Sequence, residues 1–167
     1  PLAPVANEYV WGTTAISATT AIANDGTGTD TAIGGNCNFF GCSPFGPYRA
    51  GIYATPNSSR EAAGASYWAI MELGGNLWER AVTIGNATGR TFTGVHGDGK
   101  LNAAGDADVI SWPGTSAEGA GFRGSGFNQG ATYTRTSDRS YADATYAPRS
   151  FDYGFHAVRT APAGVLP

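Results

Sequence analysis

Apolar positions along the chain come in short runs, and turn-forming residues break them up. Leu77–Thr83 alternates apolar and polar side chains, the period of a half-buried strand. Tyr67–Leu73 (YWAIMEL) reads as a buried segment leading into a bend at Gly74-Gly75. Between residues 36 and 56 the density of Pro and Gly forbids regular structure, and the aromatics there suit a loop packed onto a core. Residues 85–120 are a long run of turn signals, with Ser111-Trp112-Pro113-Gly114 as one expected anchor. No long amphipathic helix and no internal repeat is present. The pattern predicts short strands, few helices and much ordered loop.

Composition narrows the class. At 167 residues the chain is one domain by size, taken here as 1–167. Charged residues make up 14% and aromatics 12%, so the Gly, Ser and Thr content belongs to ordered loops rather than to a disordered chain. A net charge of −3 with no basic run argues against nucleic acid as a partner. No apolar run has the length of a membrane span, and no signal peptide is visible at Pro1-Leu2-Ala3-Pro4. Cys37 and Cys42 form either a small disulfide, which suits an extracellular setting, or two unpaired thiols.

The stretch 121–162 interleaves two kinds of residue. Gly121-Phe122-Arg123-Gly124, Arg135, Ser137-Asp138-Arg139, Arg149 and Gly154-Phe155 with Arg159 look like scaffold. Between them stand Phe127, Asn128, Gln129, Thr132, Tyr133, Ser140, Tyr141, Asp143, Tyr146, Ser150, Phe151, Asp152 and Tyr153. Aromatic anchors with small polar neighbours make adaptable contact surfaces, because Tyr brings contact area at low entropic cost. The alternative is that several of these rings belong to the core. If they are on the surface, Tyr141→Ala and Tyr153→Ala leave thermal stability nearly unchanged. The recurring Arg residues either bind an anion or tie irregular backbone with guanidinium forks, and the second reading is favoured. Asp98, Asn102, Asp106 and Asp108 read as turn residues rather than a second oxygen site. His96 and His156 are single and support no hydrolytic triad.

Three pieces together carry a resemblance: Met71-Glu72-Leu73-Gly74-Gly75-Asn76-Leu77-Trp78-Glu79, Gly121-Phe122-Arg123-Gly124-Ser125, and Arg149 followed by Gly154-Phe155-His156-Ala157-Val158-Arg159. In this order they resemble the formylglycine-generating-enzyme (sulfatase-modifying factor) family. The resemblance implies an α+β, C-type-lectin-like fold with small twisted antiparallel sheets. The catalytic oxidases of that family carry a cysteine pair shortly after the Arg-Gly element. Here Phe127–Thr134 contains none, so the resemblance implies a scaffold without the copper-dependent oxidase activity. The family's upstream helical segment also has no counterpart in this chain, so the resemblance leads to the expectation of a missing upstream part. The matching bend in the oxidases binds a structural calcium ion. Carried over, Glu72 and Glu79 offer carboxylates, and Gly75 and Leu77 carbonyls, the hard oxygen donors Ca²⁺ takes. Without calcium, Glu79 is a buried carboxyl satisfied by backbone N–H groups or an Arg.

Within that family the chain is most similar to the variable proteins of diversity-generating retroelements. Their final stretch is diversified by adenine-directed mutagenesis of a template rich in Asn codons, which yields Tyr, Ser, Asp, Phe, Thr, Gly or His. The interleaved residues are dominated by that set. The resemblance therefore implies a non-enzymatic binding domain with a variable region over 121–159. Its expected partner is a protein or glycan on another cell or virus, met at a cell or virion surface, with no direct membrane insertion. The rival expectations are a divergent oxidase and a calcium-dependent carbohydrate lectin.

Overall fold

The computed structural model describes residues 5–98, 100–106, 109 and 111–155. The alternation at Leu77–Thr83 forms strand β3 (Trp78–Val82), the centre of a three-stranded sheet ordered β4-β3-β5. Strand β4 (Ala120–Arg123) pairs antiparallel with β3, setting Glu79 opposite Arg123 and Arg80 opposite Phe122. Strand β5 (Tyr153–Gly154) joins the other edge in parallel, with Trp78 opposite Tyr153. This corrects the expectation of antiparallel sheets only. Strand β4 runs opposite to β3, and residues 124–152 carry the chain to the far edge, where β5 runs opposite to β4 and so parallel to β3.

A separate hairpin pairs β1 (Ala21–Ala23) with β2 (Thr31–Ile33). Its turn is closed by the Thr27 N–H and hydroxyl, both donating to Asn24 O. The described residues contain only two short 3-10 turns, Gly89–Thr91 and Ala131–Thr134. Small sheets with few helices and long ordered loops agree with the α+β class.

Two apolar clusters lie beneath the loops. Cys42, Tyr48, Ile52 and Tyr53 form one; Tyr9, Trp11 and Cys37 form the other, and Phe39 packs against both. Beside these clusters Thr19 Oγ1 and Tyr53 OH lie 2.8 Å apart, and Trp11 Nε1 donates to Ala15 O. The Pro/Gly-dense loop is packed onto this core, as its aromatics imply.

The segment Tyr67–Leu73 is not the buried run its composition suggests. Tyr67 and Trp68 are 76% and 77% exposed. The chain turns here instead of extending. The Ser66 N–H donates to Ile70 O, the Ile70 N–H donates to Ser66 Oγ, and Ala69 sits at φ 59°. A tight turn swings adjacent side chains outward, and the run loses its buried face.

Candidate ligand-binding surface

The stretch from Gly121 to Phe155 is tied to the rest of the molecule mainly through its backbone. Gln129 O accepts the Phe40 N–H, Tyr141 O the Phe122 N–H, and Asp152 O the Trp78 N–H, all at 2.8–2.9 Å. Tyr146 O accepts from the Arg80 guanidinium. The Phe127 N–H donates to Asn76 O, and the Gly75 N–H to Gly124 O. The chain start clamps the same region, since Glu8 O accepts both the N–H and the hydroxyl of Thr136. Bonds of this kind use atoms that every residue carries. The donors to the carbonyls of positions 129, 141, 146 and 152 are residues outside the interleaved set, so these four tethers do not depend on which side chains stand there.

Four of the expected anchors gather around two buried rings. Trp78 and Phe122 are 4% and 3% exposed and meet edge to face on one side of the sheet. Tyr141 lies 5.0 Å and Tyr133 6.2 Å from Trp78, ring centre to ring centre. Tyr153 lies 4.5 Å and Tyr146 6.4 Å from Phe122. The Arg80 guanidinium covers the Phe122 ring at 4.7 Å and reaches Tyr153 at 5.7 Å, a cation–π arrangement. Burial pushes the Tyr153 hydroxyl above its ordinary pKa. Tyr146 is exposed, whereas Tyr133, Tyr141 and Tyr153 are half-buried, each resting one face on the core.

A second group forms at the other edge. Asn128 Nδ2 donates to Asp152 Oδ2, and Ser150 Oγ to Asp152 Oδ1. Phe151 is 73% exposed and packs beside Phe127, which in turn meets Phe45 at 4.9 Å. Thr132, Ser140 and Asp143 are exposed and Gln129 is half-buried. Phe127 and Asp152 correct the expected contact set, because both lie beneath the surface. The Phe127 ring fills the space between Phe45 and Phe151. The Asp152 carboxylate is taken up by Asn128 and Ser150, an internal role that a buried carboxylate requires.

Of the recurring Arg residues, Arg123 and Arg139 tie backbone. Arg123 and Arg139 both donate to Thr136 O, at 2.8 and 2.9 Å, and Arg139 also donates to Asp138 O. Arg149 is exposed, and Arg159 and His156 lie outside the described residues. Asn102 Oδ1 accepts the Ala104 and Asp106 N–H groups, a turn role, and Asp98 pairs with Lys100. Asp108 lies outside the described residues.

At the expected calcium bend, Glu72 Oε1 accepts the Gly51 N–H. Burial raises the Glu79 carboxyl from an ordinary 4.5 to about 8. Gly75 and Leu77 lie between them on the tight turn before β3. Among the described residues no three His, Cys, Asp or Glu side chains are gathered as a metal cluster. Cys37 and Cys42 are free buried thiols. Cys37 Sγ donates to Gly74 O and Cys42 Sγ to Cys37 O, so each thiol is committed to a carbonyl.

Sequence reasoning missed Phe40 and Phe45, which are 65% and 64% exposed beside the interleaved stretch. Their flanking glycines, Gly41 and Gly46, both at positive φ, are the local signal for the sharp turns that leave these two rings outside while Tyr48 and Tyr53 of the same loop pack inward. Among the described residues, no helix is long and apolar enough to cross a membrane. Comparison with protein-family models, curated proteins and solved structures gives no match.

Proposed function

We propose that the chain is a non-enzymatic, receptor-type binding domain with a C-type-lectin-like fold, and that residues 121–159 are a retroelement-diversified variable region. Its ligand is a protein or glycan on another cell or virus, met outside the cell. The observation that carries this reading is the backbone tethering. Gln129, Tyr141, Tyr146 and Asp152 are held through their carbonyls by Phe40, Phe122, Arg80 and Trp78. Such a loop keeps its path when its side chains change, and a diversified surface requires that. Binding then works by shape and hydrogen-bond complementarity. Tyr146 and Phe151 are exposed anchors, Tyr133, Tyr141 and Tyr153 are half-buried ones, and Thr132, Ser140 and Asp143 are adaptable polar contacts.

The test is made on DNA. The neighbourhood of the gene is sequenced for a near-copy of the segment encoding residues 121–159, beside a reverse transcriptase. A copy that differs only at adenines establishes diversification, and its altered codons name the contact residues. If no such copy exists, the diversified reading falls.

A further inference from the structure

The tip of the β1–β2 hairpin, residues 24–29, is exposed throughout and holds two glycines at positive φ, Gly26 at 73° and Gly28 at 78°. Thr27 ties this tip to Asn24, Thr29 and Asp30. Asp25 and Gly26 stand outside those bonds, at a loop tip where local opening costs least. An aspartate followed by glycine has a reaction of its own, in which the glycine nitrogen attacks the aspartate side-chain carbon and closes a five-membered imide.

Both reacting groups are available here. Among the described residues, no hydrogen bond or ion pair holds the Asp25 carboxylate or the Gly26 N–H. The carboxyl is free to rotate onto the backbone nitrogen, and the nitrogen has no acceptor to leave. Nothing crowds the approach, since even a Cβ on Gly26 would meet no atom within 4 Å, and glycine carries none. The chain's other Asp-Gly pair, Asp98-Gly99, differs at the carboxylate. Asp98 Oδ1 accepts the Lys100 N–H at 2.9 Å, and Oδ2 meets Lys100 Nζ at 3.1 Å. These contacts also hold the Asp98 carboxyl below its ordinary pKa, and an ionised carboxylate is the poorer electrophile. Asp30, in the same hairpin as Asp25, is buried, paired to Arg49 and followed by Thr31.

We propose that Asp25-Gly26 is a site of spontaneous isoaspartate formation, selected by the fold over Asp98-Gly99. Gly26 N bonds to Asp25 Cγ, and the N–H proton and the carboxyl OH leave as water. Water then attacks one of the two imide carbonyls, and that C–N bond breaks. Attack at Cγ restores aspartate; attack at the main-chain carbon leaves the chain routed through Cγ. The second product adds one methylene to the main chain, inside the turn that Thr27 closes onto Asn24 O. Nothing in this chemistry depends on the function assigned to residues 121–159.

The test holds the full chain in warm neutral buffer and samples it over weeks. Digests are read by electron-transfer mass spectrometry, which separates isoaspartate from aspartate at each position, and near-UV circular dichroism checks that the chain stays folded. We expect isoaspartate to accumulate at Asp25 about tenfold faster than at Asp98, the scale of one hydrogen bond that must first break. In urea the two rates should converge, because the Lys100 contacts are then lost. Gly26→Ala, whose methyl has open space in the fold, should slow the reaction at Asp25 severalfold and leave Asp98 unchanged. Absence of isoaspartate at Asp25 overturns the proposal. So does a rate at Asp25 no faster than at Asp98 in the folded chain, a preference that persists unchanged in urea, or a rate unaffected by Gly26→Ala.

Discussion

The side-chain amide of Asn76 pairs with both backbone groups of Tyr48. Its Oδ1 accepts the Tyr48 N–H at 2.7 Å, and its Nδ2 donates to Tyr48 O at 3.0 Å. The same Oδ1 takes a bond from Asn38 Nδ2 at 3.1 Å. One buried amide thus stands in for a strand between the Pro/Gly-dense loop and the bend before β3. Asn also suits the positive φ of 67° at this position. Asn76→Ala leaves two backbone groups and one amide without their partner. Each such loss costs about 1–3 kcal/mol, so a destabilisation of roughly 3 kcal/mol is expected in urea unfolding. A loss below 0.5 kcal/mol would mean that water replaces the amide.

Gly75, next to it, has no room for a side chain. At φ +80°, a Cβ there would lie 2.4 Å from Asn38 O and 2.5 Å from Cys37 Sγ. Gly89 is tighter still, with Thr83 O at 1.9 Å. Gly75→Ala and Gly89→Ala should each lower stability by several kcal/mol, since backbone must move in both cases. Gly26→Ala, where nothing lies within 4 Å, serves as the control for positive φ alone. Melting temperatures of the three variants separate close contact from backbone strain.

Glu79 makes the protein pH-sensitive in a defined direction. Its carboxyl is raised from 4.5 to about 8 by burial, so between those values the folded protein keeps a proton that the unfolded chain has released. Stability therefore falls as pH rises through that window, and the loss is complete above about 8. Glu79→Gln, which keeps shape and removes the charge, should flatten this slope in thermal melts from pH 5 to pH 8. A calcium ion held by Glu72, Glu79 and the Gly75 and Leu77 carbonyls would hold Glu79 ionised. Melts with millimolar Ca²⁺ and with chelator decide this: a slope identical in both removes the ion from the bend.

The interleaved residues divide by cost. Phe151→Ala, Thr132→Ala, Ser140→Ala and Asp143→Ala should stay within about 0.5 kcal/mol, because these side chains are exposed. Tyr141→Ala and Tyr153→Ala should lose roughly 1–2 kcal/mol, because each ring rests on Trp78 or Phe122. That replaces the sequence-based expectation that both are nearly neutral. In a domain of this size the difference is about 2–8 °C in melting temperature.

The two thiols should stay unreactive until the chain unfolds. Burial, with Glu72 nearby, pushes the Cys37 thiol well above its ordinary pKa, so little thiolate forms near neutral pH. Ellman's reagent should label Cys37 and Cys42 within minutes in denaturant and only slowly in the native protein. Mass spectrometry of the unreduced chain should show two free thiols; a mass two units lower would reveal a disulfide instead.

The amino-acid sequence by itself determined what depends on neighbours along the chain. The alternation of Leu77–Thr83 placed β3, because period two exposes one face and buries the other wherever the strand is packed. The Gly and Pro density of 36–56 and 85–120 marked ordered loop, and Arg beside turn residues marked backbone ties. Tertiary structure alone decided which side of each aromatic ring faces water. Tyr is equally suited to core and surface, so Tyr146 stands out while Tyr153 leans on Phe122. Phe127 and Asp152 went inward because Phe45 and Asn128 meet them from distant parts of the chain. Tyr67 and Trp68 went outward because a turn at Ser66 removed the face their pattern implied. The pairing of Asn76 with Tyr48 spans 28 residues, and no local period encodes a bond of that reach.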